Sequence, residues 1–369
     1  MLQAASQGRR DVALATFEAA KGHWAVETGL GPLLAHTTAD DPQAKASRLW
    51  PAVQGADLLS RMLTAEQFAA MDEILDACDG RMPPVTLLKG ISIADQHYPL
   101  PHLRPMRDLD ILVEATDLPT IESVLHTLGY HQQSSIPPAF YHTHHHLMPF
   151  VHPRRGIWVE VHRQLFPPHS RLGADPVFRL DHLTTQLQGS TFRGRPVKRL
   201  SDALQLVYIA CHWADDLPGL GGMLAMLDLI YLLHNTRHDP CWERLLDWLR
   251  GSVAAAPVYL LLSYLVRDHL IAIPPDTLRE LSRRQHAFGP LNLHLMHALL
   301  DRFVVDGHPH GRVYSPYHLD IIWKTLLQSG RPWENLLRAS WNLFRGSRMG
   351  AGLLGPQPQI ENGKPLDGR

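Results

Sequence analysis

The sequence predicts an α+β protein in which a mixed β-sheet core lies between N-terminal helices and a C-terminal helical region. Apolar residues recur at spacings of three and four towards both ends of the chain, whereas the middle alternates short strand-like and short helical runs. With 369 residues, 45% of them hydrophobic, the chain can bury a substantial core and is long enough for about two to three domains.

The first part of the chain has the spacing of amphipathic helices. Between residues 11 and 79 the apolar positions follow a helical stripe that includes Leu58, Leu59, Met62, Leu63, Phe68, Met71, Ile74 and Leu75. The first twelve residues carry polar side chains where a signal peptide needs a continuous apolar stretch. We therefore assign residues 1–80 to an N-terminal helical segment and expect a cytoplasmic protein.

The predicted sheet core occupies residues 81–185. Residues 84–90 are typical of a short buried strand that ends at a glycine, and residues 91–98 of a brief helix. Residues 108–114 alternate polar and apolar side chains, which predicts a second strand. A helix follows over residues 117–129, with an aspartate at its N-cap and a glycine at its end.

Two further strand-like runs complete the core as a predicted hairpin. They cover residues 146–152 and 156–165, and the segment Pro153-Arg154-Arg155 separates them. In the second run, Glu160 and His162 share one strand face, because side chains in a strand alternate between its two sides.

The rest of the chain is predicted to be mainly helical. Apolar stripes at helical spacing favour a C-terminal helical region over residues 186–345. The longest apolar run, residues 253–266, is too short to span a bilayer, which takes roughly 20 residues, and is expected to be a buried helix. Residues 346–369 are rich in glycine and proline, so we expect a disordered tail.

Composition excludes several classes of function. Lys and Arg total 35 against 36 Asp and Glu, so no overall positive charge gathers nucleic acid non-specifically. The three cysteines, Cys78, Cys211 and Cys241, are widely separated, which favours a reducing compartment. The chain has neither a GxxxxGK[ST] phosphate loop nor a GxSxG serine elbow. We expect no membrane partner.

The strongest candidate for chemistry is the pair Asp108 and Asp110 in the second predicted strand. Residues two apart in a strand project from the same face, with Cα atoms about 6.5–7 Å apart. Both carboxylates could therefore reach one pair of metal ions. Magnesium prefers oxygen ligands and usually combines one or two protein carboxylates with water and substrate phosphates, so a nucleoside triphosphate would complete its coordination.

The strand with Asp108 and Asp110 belongs to a series of four motifs. In chain order they are Leu88-Lys89-Gly90, the segment Arg104 to Val113, Gly129-Tyr130, and Val159-Glu160-Val161-His162. With them, the chain resembles the uncharacterised nucleotidyltransferase family of the polymerase-beta-like superfamily, over roughly residues 25–250. The resemblance implies a nucleotidyltransferase-type sheet. It also implies that Asp108 and Asp110 ligate Mg²⁺, with Mn²⁺ as the alternative, that Glu160 completes the metal site, and that Gly90 and Ser92 hold the triphosphate.

Basic residues close to these motifs are candidates for binding phosphate. Lys89, Arg104 and Arg107 are the nearest in sequence, and a triphosphate with three to four negative charges requires such neutralisation. The resemblance extends to a later helical segment with His212 and Asp228. Their apolar neighbours favour structural roles, as a packed histidine and a helix-pairing acid.

The histidines offer an alternative reading, because neutral imidazole is a common zinc ligand. The candidates are His142, His144, His145, His146, His152 and His162. No HExxH motif is present, and consecutive residues that enter a strand would point to opposite sides, so zinc is disfavoured. His162 could instead orient Glu160 or meet the substrate.

The prediction is therefore an Mg²⁺-dependent enzyme that transfers a nucleoside monophosphate from an NTP to a hydroxyl or phosphate acceptor. The acceptor could be a protein, a peptide, a small molecule or an RNA end, since a fold does not choose among them. A non-catalytic nucleotide-binding or partner-binding module of the same fold and a His-rich metal hydrolase are the two alternatives.

Overall fold

The computed structural model describes residues 25–134, 136–168, 170–215, 222–235 and 241–288. The predicted tail at residues 346–369, the helices predicted beyond residue 288 and the first 24 residues lie outside these ranges. Within them, a mixed seven-stranded sheet and surrounding helices confirm the predicted α+β class.

Three helices precede the sheet, and a π-helical turn at Val26–Leu30 precedes the first of them. Their bounds are α1 Gly31–Thr37, α2 Pro42–Ala46 and α3 Trp50–Cys78. Helix α3 carries the predicted apolar stripe, but only the second half of the stripe is buried, with Phe68, Met71 and Ile74, whereas Leu58, Leu59, Met62 and Leu63 are exposed. The three buried residues join a core cluster with the strands of the sheet. Helix α3 therefore covers one face of the sheet.

Nine further helices follow in the described ranges: α4 Lys89–Gln96, α5 Leu118–Thr127, α6 Pro138–Tyr141, α7 Leu180–Thr185, α8 Asp202–Asp215, α9 Gly222–Asn235, α10 Trp242–Trp248, α11 Ala255–Arg267 and α12 Pro275–Arg284. Short 3-10 turns occupy Pro101–Leu103, Ala115–Asp117, Pro176–Phe178 and Gln285–Phe288. Helices α8 to α11 contribute most of the larger apolar cluster. None of the described helices combines the length and apolar character needed to cross a membrane.

The strands are β1 Thr86–Leu87, β2 Asp108–Leu112, β3 His131–Gln132, β4 Phe150–His152, β5 Ile157–His162, β6 Leu187–Phe192 and β7 Arg195–Leu200. Their order across the sheet is β3-β4-β5-β2-β1-β7-β6. Strand β2 pairs parallel with β5 and antiparallel with β1, and β1 pairs parallel with β7. Strand β2, with its two aspartates, is therefore central.

The predicted hairpin is confirmed. Strands β4 and β5 pair antiparallel, with Phe150 opposite Val159, and Gly156 in the connecting turn has a φ of 66°. A positive φ is accessible to glycine at little cost, so Gly156 suits this tight reversal. Helix α5 also lies where predicted, although the carboxylate of Asp117 makes no capping hydrogen bond.

The sheet extends further along the chain than predicted, because β6 and β7 lie inside the segment assigned to helices. These strands form an antiparallel hairpin around Arg193 and Gly194, both at positive φ. Gly189 and Pro196, residue types depleted in strands, weaken the strand pattern in the sequence. The division of the chain into domains stays a prediction.

Arg199 joins β7 to helix α4 across the interior. Its guanidinium is buried, donates to the backbone oxygen of Ser92 at 2.7 Å, and pairs with the carboxylate of Asp95. It also donates to the backbone oxygen of Thr191 at 3.2 Å. This one side chain thus attaches the helix that follows β1 to the sheet.

We predict that Arg199→Met lowers the free energy of unfolding by about 3 kcal/mol, because it leaves Asp95 without its cation. Chemical unfolding followed by circular dichroism measures the change. Arg250→Met is the matched control: Arg250 and Asp247 form an exposed pair, and such pairs contribute about 0–1 kcal/mol. Equal losses in the two variants would contradict a structural role for the buried pair.

Candidate active site

The register of β2 and β5 places two carboxylates side by side. Asp110 lies directly opposite Glu160, and Asp108 lies opposite Trp158, so these residues share the face that contains His162. Candidate ligand atoms of Asp110, Glu160 and His162 all lie within 4.8 Å of one another. The structure therefore brings Glu160 beside Asp110, as the family resemblance implied.

Lys89 supplies a positive charge between these two carboxylates. Its Nζ lies 2.8 Å from Oδ1 of Asp110 and 3.8 Å from Oε2 of Glu160. The position follows from the β1–β2 pairing, since the backbone N–H of Leu88 donates to the backbone oxygen of Asp110 at 3.0 Å. Lys89 is thus the second residue beyond the end of β1 and directly follows the residue whose backbone contacts Asp110.

The backbone of Lys89 is strained at this junction. Its φ of 45° lies in the left-handed region, which a residue with a Cβ adopts at a cost of about 1–2 kcal/mol. Helix α4 begins at this residue. Strained residues that persist in a fold are held by their surroundings and cluster at functional sites. Here the ion pair with Asp110 is the surrounding contact that favours the strained conformation.

His162, on strand β5, contacts the same carboxylates as Lys89. It is fully buried, and its Nε2 donates to Oδ1 of Asp110 at 2.8 Å while lying 3.5 Å from Oε2 of Glu160. The predicted partnership of His162 with Glu160 is therefore secondary to its contact with Asp110. Lys89 and His162 approach the same oxygen of Asp110 and fix the position of that carboxylate.

The pKa values of the three carboxylates shift in opposite directions: those of Asp110 and Glu160 are lowered, and that of Asp108 is raised. Burial opposes ionisation of Asp110 and Glu160, but Lys89 and His162 outweigh it: the pKa of Asp110 falls well below its usual range and that of Glu160 falls to about 2. For Asp108, burial and the negative charges of Asp110 and Glu160 raise the pKa to about 7. Asp108 is therefore the carboxylate for which the nearby cations do not outweigh burial and the neighbouring negative charges.

Asp108 occupies the start of β2, where the chain enters the sheet. It is partly buried and forms no ion pair with any residue in the described ranges. Burial is the largest cause of its raised pKa, followed by the negative charges of Asp110 and Glu160, so a cation bound at Asp108 would favour its ionised form.

Arg104 forms an ion pair with Asp228. Its Nη2 lies 2.9 Å from Oδ2 of Asp228 and its Nε 3.2 Å from Oδ1. The hydroxyl of Tyr98 donates to the same Oδ1 at 2.7 Å. Asp228 is buried, so its predicted pairing role fits, with an arginine and a tyrosine rather than a neighbouring helix as the direct partners.

A small cavity of about 80 Å³ lies beside this pair and Lys89. Its polar lining consists of Lys89, Arg104, Gln205, Tyr208, His212 and Asp228. His212, on helix α8, borders the cavity instead of packing only against apolar residues. Burial and the charge of Lys89 lower the pKa of His212 to about 3, so its imidazole is neutral.

The remaining predicted phosphate contacts are distributed differently. Arg107 is exposed and makes no ion pair within the described part of the chain. Ser92 is not brought to the carboxylates, because its buried hydroxyl lies 3.3 Å from Nη1 of Arg199. Gly90 is buried under neighbouring side chains: a Cβ there would lie 2.8 Å from Nη1 of Arg104 and 2.8 Å from Cγ of Met106. Close packing therefore explains the glycine.

The histidines before β4 gather instead of alternating. The backbone bends at His144 and His145, so the rings of His144, His145 and His146 converge. The ring centroids are 4.2 Å apart for His144 and His145, 4.3 Å for His144 and His146, and 4.8 Å for His145 and His146. His142 is exposed, and His152 packs edge-on against Tyr130. The argument that these residues point to opposite sides was wrong, because it assumed a strand that begins only at residue 150.

Sequence reasoning missed the pairing of Lys89 with Asp110 and that of Arg104 with Asp228. Lys89 begins helix α4 whereas Asp110 lies on strand β2, and Arg104 and Asp228 are 124 residues apart, so no local spacing links either pair. Gln205 and Tyr208 were also missed as cavity residues. Their spacing of three on helix α8 was the only signal, and it is common to every amphipathic helix.

We predict that Asp110→Asn lowers the pKa of His162 in metal-free buffer. Burial and Lys89 disfavour the imidazolium, but hydrogen bonds to Asp110 and Glu160 outweigh them and raise the pKa of His162 in the folded protein. Its protonation therefore stabilises the fold below a pH of about 6.5, and this contribution is lost as the pH rises through the raised value.

Nuclear magnetic resonance titration of the imidazole protons measures this pKa, and His162→Gln identifies the resonance. Asp117→Asn, which changes an aspartate in the 3-10 turn after β2, is the control and should leave the pKa unchanged. An unaltered His162 pKa in Asp110→Asn would show that the two side chains do not interact in solution.

Comparison with known proteins adds one finding. A family model described as uncharacterised nucleotidyltransferase matches residues 22–268. No curated protein and no solved structure matches the chain. The matched segment is more than half of the 369 residues, and it includes all seven strands as well as Asp108, Asp110 and Glu160.

Proposed function

The chain belongs to the uncharacterised nucleotidyltransferase family, and on this premise we propose that it transfers a nucleoside monophosphate from an NTP to a hydroxyl or phosphate acceptor. The reaction would use Mg²⁺, or Mn²⁺ as the alternative, at Asp108, Asp110 and Glu160. The observation that carries the proposal is the pairing of Asp110 with Glu160 in one register, with Asp108 on the same face.

The residues fit a hard divalent cation. Three carboxylates from two strands share one face of the sheet, and burial and the charges of Asp110 and Glu160 raise the pKa of Asp108, so a bound cation would favour the ionised form of Asp108. Oxygen ligands of this kind are those that magnesium prefers. When bound, magnesium would polarise the phosphorus under attack and lower the pKa of the acceptor hydroxyl.

The protein's own residues would set the geometry of this reaction. Lys89 and His162 both contact Oδ1 of Asp110, which fixes that carboxylate before any substrate arrives. Preorganised charges of this kind need not reorganise during the reaction, which is the main source of electrostatic catalysis. The same Lys89 ammonium borders the cavity between α4, α8 and α9, where it could also meet a phosphate oxygen.

The basic residues would divide their roles. Arg107 is exposed and has no ion-pair partner in the described ranges, so we assign it to the triphosphate. Arg104 would act mainly by holding Asp228, although its guanidinium also lines the cavity. The NTP used and the acceptor class, whether protein, peptide, small molecule or RNA end, are left to the assay.

We predict that Asp108→Asn and Asp110→Asn each reduce transfer by at least about a hundredfold, equivalent to roughly 3 kcal/mol of transition-state stabilisation. The assay incubates the purified chain with each labelled NTP, Mg²⁺ and cell extract as the source of acceptor. Glu114→Gln, an exposed carboxylate just beyond β2, is the control and should retain activity. Wild-type turnover in either aspartate variant would refute the metal site.

We predict that Glu160→Gln still binds NTP but loses transfer. Both aspartates remain for the nucleotide and its metal, while the ligand nearest the proposed acceptor side is neutralised. Titration calorimetry with a non-hydrolysable NTP separates binding from turnover, and Arg107→Ala should show the opposite profile, with weakened binding. Normal turnover in Glu160→Gln would favour a site without this carboxylate. Absence of transfer in the wild-type chain, with NTP binding intact, would favour the non-catalytic module.

A further inference from the structure

A second cluster of potential metal ligands lies next to the carboxylates and has no part in the proposed transfer. Nitrogen atoms of His144, His145 and His146 all lie within 4.8 Å of one another. We propose that these three imidazoles bind one transition-metal ion of the zinc, cobalt or nickel class, at a site separate from the magnesium site. The inference goes beyond the proposed function and does not depend on it.

The backbone of this segment is fixed by the end of strand β5. The N–H groups of Arg163 and Gln164 donate to the backbone oxygen of His145 at 2.9 and 3.2 Å. The guanidinium of Arg163 donates to the backbone oxygens of His144, at 2.9 Å, and Tyr141. Because both residues before His146 are bound through their carbonyls, the bend that gathers the rings is part of the fold. Such preorganisation reduces the cost of binding an ion.

The ring of His146 is oriented as in a metal ligand. Its Nδ1 lies 2.6 Å from the backbone oxygen of Leu147, so Nδ1 carries the proton and Nε2 has the free lone pair. A hydrogen bond from the second ring nitrogen to a backbone carbonyl is the usual support of a metal-binding histidine. The tautomer that the fold imposes on His146 is therefore one that binds metal.

His145 provides an independent observation. Its Nδ1 is buried and has no hydrogen-bond partner among the described residues. Buried polar atoms are nearly always satisfied, and a metal ion is one way to satisfy a bare imidazole nitrogen. The unsatisfied atom lies in the same cluster as His146, so one ion bound by the cluster would account for both features.

The distances are compatible with zinc after small side-chain rotations. Zn–N bonds of about 2.0–2.1 Å place the nitrogens of a tetrahedral site about 3.4 Å apart. Three protein ligands would leave a fourth position for water or another group. Nε2 of His146 lies 4.0 Å from Oε2 of Glu160, so an ion here would bring positive charge to the edge of the carboxylate group.

Ligand chemistry separates the two sites. Imidazole suits zinc, cobalt and nickel, whereas carboxylate, carbonyl and water oxygens suit magnesium. Excess magnesium should therefore occupy the carboxylates without displacing an ion from the histidines. This difference allows each site to be measured while the other is filled or disabled.

The test uses the 369-residue chain without an affinity tag, in buffer with excess Mg²⁺. Co²⁺ is added and its visible absorption recorded, and Zn²⁺ binding is measured by competition with a chelator. We expect one tight equivalent. His144→Gln, His145→Gln and His146→Gln should each weaken binding at least about tenfold, since removing even an outer-shell partner of a ligand typically costs 10–100-fold.

His131→Gln is the matched control, because His131 is exposed on strand β3, outside the cluster. It should bind cobalt like the wild type, as should Asp108→Asn. Circular dichroism checks the fold of every variant, and the single substitution of partly exposed His144 keeps the test valid if changes at His146 disturb folding. Unchanged affinity in all three cluster variants would overturn the proposal. So would binding that depends on Asp110 but not on the three histidines, because the ion would then belong to the carboxylates.

Discussion

The parallel pairing of β2 with β5 is the constraint on which the candidate site depends. It puts Asp110 opposite Glu160 and carries His162 to the same face. Because strand side chains alternate, a shift of one residue would turn Val159 and Val161 towards Asp110 instead. The backbone N–H of Val113 donates to the backbone oxygen of His162 at 3.1 Å, which continues this register beyond the end of β2.

The charge arrangement explains why a strained lysine is tolerated at the end of β1. A left-handed residue with a Cβ costs about 1–2 kcal/mol. Removing one partner from a buried ion pair costs about 3–5 kcal/mol. Since Asp110 is almost fully buried and bound by Lys89, the second effect exceeds the first, and the fold keeps the strain. The strain therefore follows from the burial of Asp110.

Local patterns in the sequence predicted the parts of the site that belong to single strands. Alternation placed Asp108 with Asp110 and Glu160 with His162, and turn residues gave the β4–β5 hairpin. The side-by-side position of Asp110 and Glu160 rested on the family resemblance, since no local rule pairs parallel strands about 50 residues apart.

What the sequence did not predict depended on contacts between distant segments or on weak patterns. The direction of Lys89 depends on its unusual φ, and the convergence of His144 to His146 depends on carbonyls bound by Arg163. Strands β6 and β7 were not predicted, because a glycine in β6 and a proline in β7 weaken the strand pattern of their sequences. Ser92 looked like a phosphate ligand beside a glycine, but its helix turns the hydroxyl towards Arg199.

A buried acid links the helical region to the segment that precedes Asp108. Asp228 on α9 binds both Tyr98 and Arg104, and Arg104 precedes Asp108 by only four residues. The segment that delivers Asp108 to the start of β2 is thus attached at one end to a helix outside the sheet. Because Asp228 and Arg104 also line the cavity beside Lys89, a ligand that enters there would contact the attachment itself. Through Arg104, the segment that leads into Asp108 is therefore joined to helix α9 as well as to the sheet.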